Sequence, residues 1–156
     1  MKKFMILLAA VTLSATVVSA QNYNYGIGLR LGYSPSIDFK WNNSVKNSWE
    51  FNLAFPVFDG VSASAAYEWN WPIGSQGYSG QGWNAYAGPA VGLGFWGFNN
   101  GGFMFGVGGM GGIEYKFKIP LALAVDYKPM FTFVTGGYGV GLWGFYDFAL
   151  SIRYAF

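Results

Sequence analysis

Hydrophobic and polar residues alternate along most of the chain with a period of two. Near the C-terminus, Phe148, Leu150, Ile152, Tyr154 and Phe156 alternate with smaller or polar residues. Successive side chains of a β-strand point to opposite faces, so this alternation predicts a strand. The same pattern predicts eight strands, over residues 22–33, 36–42, 49–55, 61–71, 83–95, 103–117, 121–133 and 147–156.

Residues typical of turns separate these segments. They are Ser34-Pro35, Asn42-Asn43, Asp59-Gly60, Asn99 to Gly102, Ile119-Pro120 and Gly136-Gly137, and the longest connector runs from Pro72 to Gly82. Eight antiparallel strands with such connections account for residues 21–156 and predict a single all-β domain, an up-and-down β-barrel. The count depends on Ser34-Pro35, because a bulge there would join the first two segments into one strand.

The first twenty residues have the features of a secretory signal peptide. Lys2 and Lys3 precede an apolar stretch from Phe4 to Val18, and Val18-Ser19-Ala20 fits a cleavage site of small residues. A membrane anchor is the alternative interpretation. We expect residues 1–20 to be removed and the barrel domain, residues 21–156, to be exported through the Sec pathway.

Charged residues fall almost entirely on one face of the predicted strands. Without Lys2 and Lys3 the chain keeps seven basic and seven acidic residues, and only Lys46, Asp59 and Lys118 lie in connectors. The other eleven share the face that is rich in Gly, Ala and Ser: Arg30, Asp38, Lys40, Glu50, Glu68, Glu114, Lys116, Asp126, Lys128, Asp147 and Arg153.

Two features indicate that this charged face lines the lumen. Small residues and nearly balanced charges suit a crowded interior, where buried charges must be paired. On the opposite face, aromatic residues such as Tyr23, Trp49 and Phe95 stand near strand ends, with aliphatic residues such as Leu29 and Val125 between them. Aromatic girdles around an aliphatic band are typical of a membrane barrel, and closure is required because an open sheet edge is costly in lipid.

The predicted lumen charges have plausible partners. We expect Lys40 to pair with Glu50 across a turn, Arg153 with Asp126 on the neighbouring strand, and Asp147 with Arg30 where the barrel closes. We also expect four large side chains to fill the remaining space, namely Tyr86, Met104, Met110 and Met130. This network is interpreted as structural; a catalytic pair drawn from Glu50, Glu68, Glu114 and Asp126 is the alternative.

Composition excludes several kinds of chemistry. The chain has no Cys and no His, which excludes disulfides, thiol catalysis, His-ligated zinc and Ser-His-Asp triads. Two G-x-G-x-x-G matches, at 92–97 and 106–111, lack the following helix that dinucleotide binding needs. Aromatic residues at 21% and charged residues at 10% exclude disorder. We therefore expect no catalytic residue, no cofactor, no metal and no nucleic-acid partner.

These features together resemble the small eight-stranded outer-membrane barrels of Gram-negative bacteria, the OmpA/OmpX-type and opacity-protein-like group. The resemblance covers Asn22 to Phe156 and includes the closing residues 151–156 and the turn-like stretch 114–120. It implies a cell-envelope protein in outer-membrane lipid. It also implies that the barrel-assembly machinery recognises Ile152, Tyr154 and Phe156 during insertion. We expect a monomer. The outer-membrane lipid enzymes of similar size rely on a histidine, and because this chain has none, the resemblance does not extend to their activity.

The sequence pattern predicts the fold more directly than it predicts the function. The main expectation is a non-enzymatic outer-membrane protein with a structural or surface-interaction role and a side-chain-filled lumen. One alternative is a narrow, porin-like pore for ions or small molecules. Another is a secreted lipocalin-like barrel that binds a lipophilic ligand, which requires the aromatic face to point inward. A surface-binding role would be sought in the Gly- and aromatic-rich stretches 96–102 and 134–143.

Overall fold

The computed structural model describes residues 23–55, 60–73, 81–96, 102–135, 140–141 and 147–156. The predicted signal peptide, most of the connector 72–82 and most of the stretches 96–102 and 134–143 lie outside these ranges. Within them the chain forms strand segments and no helix long and apolar enough to cross a membrane. The segments are β1 (Tyr25–Gly32), β2 (Ser36–Trp41), β3 (Asn47–Ala54), β4 (Gly60–Ile73), β5 (Gly82–Trp96), β6 (Gly102–Lys116), β7 (Leu121–Tyr127), β8 (Met130–Val134), β9 (Val140–Gly141) and β10 (Phe148–Ala155).

These segments close into an eight-stranded antiparallel barrel. Sequential neighbours pair from β1 to β6, β7 and β8 both pair with β6, and β10 pairs with β7 and β1. β7 and β8 form the seventh barrel strand, whereas β9 and β10 form the eighth. The ring has no free edge between its first and last strands, which confirms the predicted up-and-down barrel.

The structure confirms one predicted detail of the strands and contradicts another. Arg30 pairs with Ser36 across the β1–β2 ladder, so Ser34-Pro35 is a hairpin turn and the count of eight strands holds. The prediction of one continuous strand over 121–133 is wrong, because the strand is interrupted at Lys128 and Pro129. Pro129 has no N–H to donate to a ladder, and pairing resumes at Met130.

The two faces of the sheet are sorted as the alternation predicts. On β1, Leu29 is 55% exposed on the outer surface, while the adjacent Arg30 is fully buried in the lumen. The large apolar side chains of the described strands lie predominantly on the outside. Inside, Tyr86 and Met110 pack among Ala66, Ala90 and Ala124, and Met104 is also buried. The barrel is therefore polar inside and apolar outside.

Aromatic rings form a continuous chain on the outer surface towards the end that carries the C-terminus. Ring centroids of successive members lie 4.9 to 6.3 Å apart. At other positions the outer surface carries exposed aliphatic residues such as Val91, Val107 and Val125. The chain of rings runs through Tyr154, Phe156, Tyr25, Phe39, Phe51, Trp49, Tyr67 and Trp69.

Candidate functional site in the barrel lumen

Ten of the eleven charged residues expected in the lumen are buried there, each less than 10% exposed. They are Arg30, Asp38, Lys40, Glu50, Glu68, Glu114, Asp126, Lys128, Asp147 and Arg153. The eleventh, Lys116, also points inward but keeps 23% of its side chain exposed at the end of β6. Every second side chain of a strand lies on the same face of the sheet. These charged residues share a face with the small residues of their strands, and that face lines the lumen.

Arg153 is the centre of the first group of ion pairs. Its Nε binds Asp38, its Nη2 lies 2.5 Å from Glu50 Oε2, and its Nη1 lies 3.0 Å from Glu114 Oε2. All four side chains are fully buried. A planar guanidinium presents five donors, so a single arginine can serve carboxylates from β2, β3 and β6 at once.

Lys40 supplies the second cation of this group. Its Nζ lies 2.9 Å from Glu68 Oε2 and 3.8 Å from Glu114 Oε2, and it stands 4.0 Å above the ring of Tyr86. The Ser48 hydroxyl donates to Glu68 at 2.8 Å. Four buried carboxylates thus share two buried cations and the neighbouring polar groups.

Arg30 organises a second group. Its Nε and Nη2 donate to Asp126 Oδ1 at 2.8 and 2.6 Å, and its Nη1 donates to both carboxylate oxygens of Asp147 at 3.0 and 2.9 Å. The Ser151 hydroxyl donates to Asp126 Oδ2 at 3.1 Å. Lys128 adds a weaker contact, with its Nζ 3.9 Å from Asp147 Oδ2.

Asn52 joins the two groups. Its Nδ2 donates to Glu50 Oε1 at 3.1 Å, and its Oδ1 accepts from Lys128 Nζ at 3.4 Å. Lys128 also donates to Ser64 at 3.0 Å. The polar side chains therefore form one connected network along the lumen, from Glu114 to Asp147.

The structure forms one of the three expected ion pairs. Arg30 and Asp147 are in contact, as predicted. Lys40 lies opposite Glu50 in the β2–β3 ladder but contacts Glu68 and Glu114 instead. The Arg153–Asp126 prediction is wrong, because Asp126 is paired with Ala149, four residues before Arg153, and the Arg153 guanidinium reaches across the lumen.

Tyr23 belongs to this site, although the sequence analysis assigned it to the outer aromatic girdle. Its hydroxyl donates to Glu114 Oε2 at 2.9 Å, and Lys116 Nζ lies 4.6 Å from its ring centroid. Burial and then the negative charge of Glu114 raise the pKa of the Tyr23 phenol well above its ordinary value. Tyr23 precedes β1, so strand parity does not govern its direction, and no sequence signal distinguishes it from Tyr25.

Cavities open at both ends of the network. The larger, of about 180 Å³, lies at the end where β1 begins and is lined in part by Tyr23, Asn84 and Lys116. The smaller, of about 80 Å³, lies at the other end and is lined in part by Lys128 and Asp147. Charged side chains occupy the lumen between them. Arg153, Lys40 and Tyr86 are among the buried side chains of the described lumen.

The arrangement compensates buried charge. Glu50 and Glu114 each contact buried cations and neutral donors. Among the described residues, no group of three or more Asp and Glu side chains is placed to hold a metal ion. What the network can do is compensate buried charge and fill the barrel.

The three C-terminal residues singled out by the resemblance lie on β10 or directly after it. Ile152 and Phe156 are exposed on the outer surface, 41% and 46% respectively. The Phe156 N–H donates to the Tyr25 carbonyl at 2.8 Å and its carbonyl accepts from the Tyr25 N–H at 3.0 Å. The terminal residue thus completes the seam between β10 and β1.

Comparison with known proteins finds no matching family model, no similar curated protein and no similar solved structure. Inferences about function therefore depend on the strand pattern, the closure of the barrel and the contents of its lumen.

Proposed function

We propose that this chain is an integral outer-membrane β-barrel protein with a side-chain-filled lumen and a non-enzymatic role. The barrel serves as a structural element of the envelope or as an anchor for its connectors at the cell surface. Residues 1–20 direct export, and the barrel-assembly machinery inserts the domain by recognising Ile152, Tyr154 and Phe156. The surrounding partner is lipid, and the unit is a monomer.

The polar inside and apolar outside of the closed barrel carry this proposal. Among the described residues, thirty large hydrophobic side chains are exposed, whereas soluble monomers rarely expose contiguous apolar patches above a few hundred Å². Hydrocarbon is the solvent that such a surface matches. Closure supports the same conclusion, because the pairing of β10 with β1 and of β5 with β6 joins the described strands into a ring, and an open sheet edge is costly in lipid.

The occupied lumen supports a structural role over transport. An eight-stranded barrel leaves an interior just wide enough for side chains to fill. Here Arg153 reaches carboxylates on strands at both sides of β10, and Tyr86 and Met110 are buried in a small apolar cluster. We therefore expect no stable single-channel conductance in a planar lipid bilayer.

The narrow pore is the second candidate, and the two end cavities are the observation that favours it. A channel would need the path between them to open, which requires Arg153 or Lys128 to release its partners. Discrete conductance steps from the purified chain would favour the pore. The lipocalin-like alternative has lost its main support, since it needs an apolar lumen and the described lumen is charged.

Cell fractionation combined with gel mobility tests the proposal. The full chain is expressed in a Gram-negative host, and outer-membrane fractions are run on SDS gels with and without boiling. A membrane barrel is expected in that fraction with a mobility that changes on boiling. The matched control lacks residues 2–20 and should remain unexported. A soluble exported band with no mobility change would contradict the proposal.

A further inference from the structure

The larger end cavity has an unusual lining. Five of the ten asparagines in the sequence line it, namely Asn24, Asn42, Asn43, Asn70 and Asn84. Among the described lining residues Lys116 alone is charged, and no Asp or Glu is among them. We call this cavity, defined by the five asparagines and Lys116, the amide vestibule.

A directional ladder of hydrogen bonds orients two of these amides. Glu68, as a carboxylate, accepts from the Ser48 hydroxyl at 2.8 Å. The Ser48 oxygen then accepts from Asn70 Nδ2 at 2.9 Å, and Asn70 Oδ1 accepts from Asn84 Nδ2 at 3.0 Å. Each acceptor in this series fixes which group of the next side chain must donate. The series therefore ends with Asn84 donating through Nδ2, and its carbonyl Oδ1 takes no part in the series.

Asn84 therefore offers an unused acceptor at the vestibule. The residue is 9% exposed and lines the cavity, and its hydrogen bond to Asn70 is made by Nδ2, which leaves Oδ1 to act as an acceptor. An amide oxygen that faces a cavity can accept a hydrogen bond from water or from a donor group of a solute. The vestibule thus holds a fixed position for one donor group, such as a hydroxyl.

Lys116 offers the complementary positive charge. Its side chain is 23% exposed, whereas those of the other lumen cations are at most 8% exposed. Its Nζ lies 3.7 Å from Glu114 Oε1, beyond normal hydrogen-bond distance, so its N–H donors are not used up by that ion pair. An ammonium with spare donors in a cavity without lining carboxylates attracts an anion.

We propose that the amide vestibule binds a single monosaccharide-sized carboxylate bearing hydroxyl groups. The carboxylate would contact Lys116, and a hydroxyl would donate to Asn84 Oδ1. The volume of about 180 Å³ suits a ligand the size of one sugar ring. This inference goes beyond the proposed function, because it depends on the vestibule and not on what surrounds the barrel.

Three sugars with the same ring but different charges distinguish the contribution of the carboxylate to binding affinity from that of the hydroxyl groups. Glucuronate, glucose and glucosamine are titrated into the full chain, purified in detergent micelles, with binding followed by calorimetry and ligand-observed NMR. Saturable binding of glucuronate is expected, with glucose at least tenfold weaker and glucosamine weaker than glucose. Retention of the heat-dependent gel mobility reports separately that the barrel is folded.

Single substitutions test which side chains of the amide vestibule contact the ligand. Lys116→Gln should reduce glucuronate affinity about tenfold, to the level of glucose, and Asn84→Leu should weaken both. The matched control is Lys118→Gln, an exposed lysine two residues away that does not line the vestibule. If Asn84→Leu does not fold, the Lys116 and Lys118 variants still test the charge contact.

Two results would overturn the inference. One is the absence of saturable binding by all three probes to folded protein, which would leave the vestibule as a water-filled cavity. The other is equal binding of glucose and glucuronate with no effect of Lys116→Gln. Either result leaves the membrane proposal intact, since fractionation and gel mobility test that proposal independently.

Discussion

Arg153 Nη2 lies 2.5 Å from Glu50 Oε2, although the two residues are 103 positions apart and β1 and β2 separate their strands in the sheet. The contact therefore crosses the lumen. The same guanidinium also binds Asp38 on β2 and Glu114 on β6. One side chain thus ties β10 to three other strands of the ring, which makes Arg153 the main internal brace of the barrel.

Replacing Arg153 by Met should strongly destabilise the barrel. The substitution leaves Asp38, Glu50 and Glu114 buried with one cation fewer, and breaking a buried pair by removing one partner costs about 3–5 kcal/mol. The free energy of unfolding in micelles, measured by denaturant titration with tryptophan fluorescence, should fall by about that amount. Lys118→Met, at an exposed turn position, is the control and should change it by less than about 0.5 kcal/mol.

A double-mutant cycle tests whether the loss comes from the buried charges. Adding Glu50→Gln to Arg153→Met should recover part of the stability, because one uncompensated carboxylate is removed. Reversing the charge at Arg153 to Glu should be worse than Met. Unchanged stability in Arg153→Met would remove the idea of a bracing network.

Strand pattern alone was sufficient to predict the barrel. A shift of one residue in a strand would turn its charged side chains outward and its large apolar side chains inward. The alternation of Leu29 with Arg30, or of Ile152 with Arg153, therefore predicts which face each residue lies on, and the number of alternating segments predicts the number of strands. The interruption at Pro129 was the exception. The pattern continues across it from Asp126 to Thr132, and a proline alone does not indicate a break, because Pro72 and Pro89 lie within the unbroken strands β4 and β5.

Contacts across the lumen could not be predicted from the sequence. Parity places Arg153 inside the barrel but does not say how far along the axis its guanidinium extends, and barrel shear shifts facing residues by several positions. Asp126 was expected as its partner because their strands are adjacent, yet the contacts cross to Glu50 and Glu114. Tyr23 was assigned to the outer face because the predicted strand began at residue 22, whereas β1 begins at Tyr25.

The crowded lumen predicts a difference between two neighbouring glycines. A Cβ on Gly112 would lie 2.5 Å from the Val125 carbonyl oxygen, 2.7 Å from the Tyr86 hydroxyl and 2.8 Å from Asp126 Cβ, whereas a Cβ on Gly109 would meet its nearest atom at 3.5 Å. Gly112→Ala should therefore cost about 1–3 kcal/mol through overpacking, with Gly109→Ala close to neutral. Unfolding titrations of the two variants check this, and equal stabilities would show that the lumen is less tightly filled.

Tyr23 predicts a pH dependence at high pH. Its pKa is raised in the folded state, so its contribution to stability is complete below about pH 10, the ordinary tyrosine value, and is lost as the pH rises through the folded pKa. Tyr23→Phe should lower the unfolding free energy by about 1–3 kcal/mol at pH 8 by removing a donor to Glu114. The gap between wild type and variant should shrink above about pH 10.

The control for this pH dependence is Tyr25→Phe, which alters an exposed ring on the outer surface. It should change the unfolding free energy by less than about 0.5 kcal/mol at pH 8. A gap for Tyr23→Phe that stays constant through pH 11 would contradict the assigned role of the phenol.

The outer surface offers the sharpest test of what surrounds the barrel. Leu29 in the middle of β1 and Ile119 in the β6–β7 turn are similarly exposed, 55% and 60%. In water, Arg at either position should change stability by less than about 0.5 kcal/mol. In lipid, Leu29→Arg places a charge near the bilayer midplane at a cost of about 2–4 kcal/mol, whereas Ile119→Arg at the rim costs about 0–1 kcal/mol. Unfolding free energies in phospholipid vesicles should therefore separate the two variants, and equal small effects would mean that the apolar surface does not face a membrane.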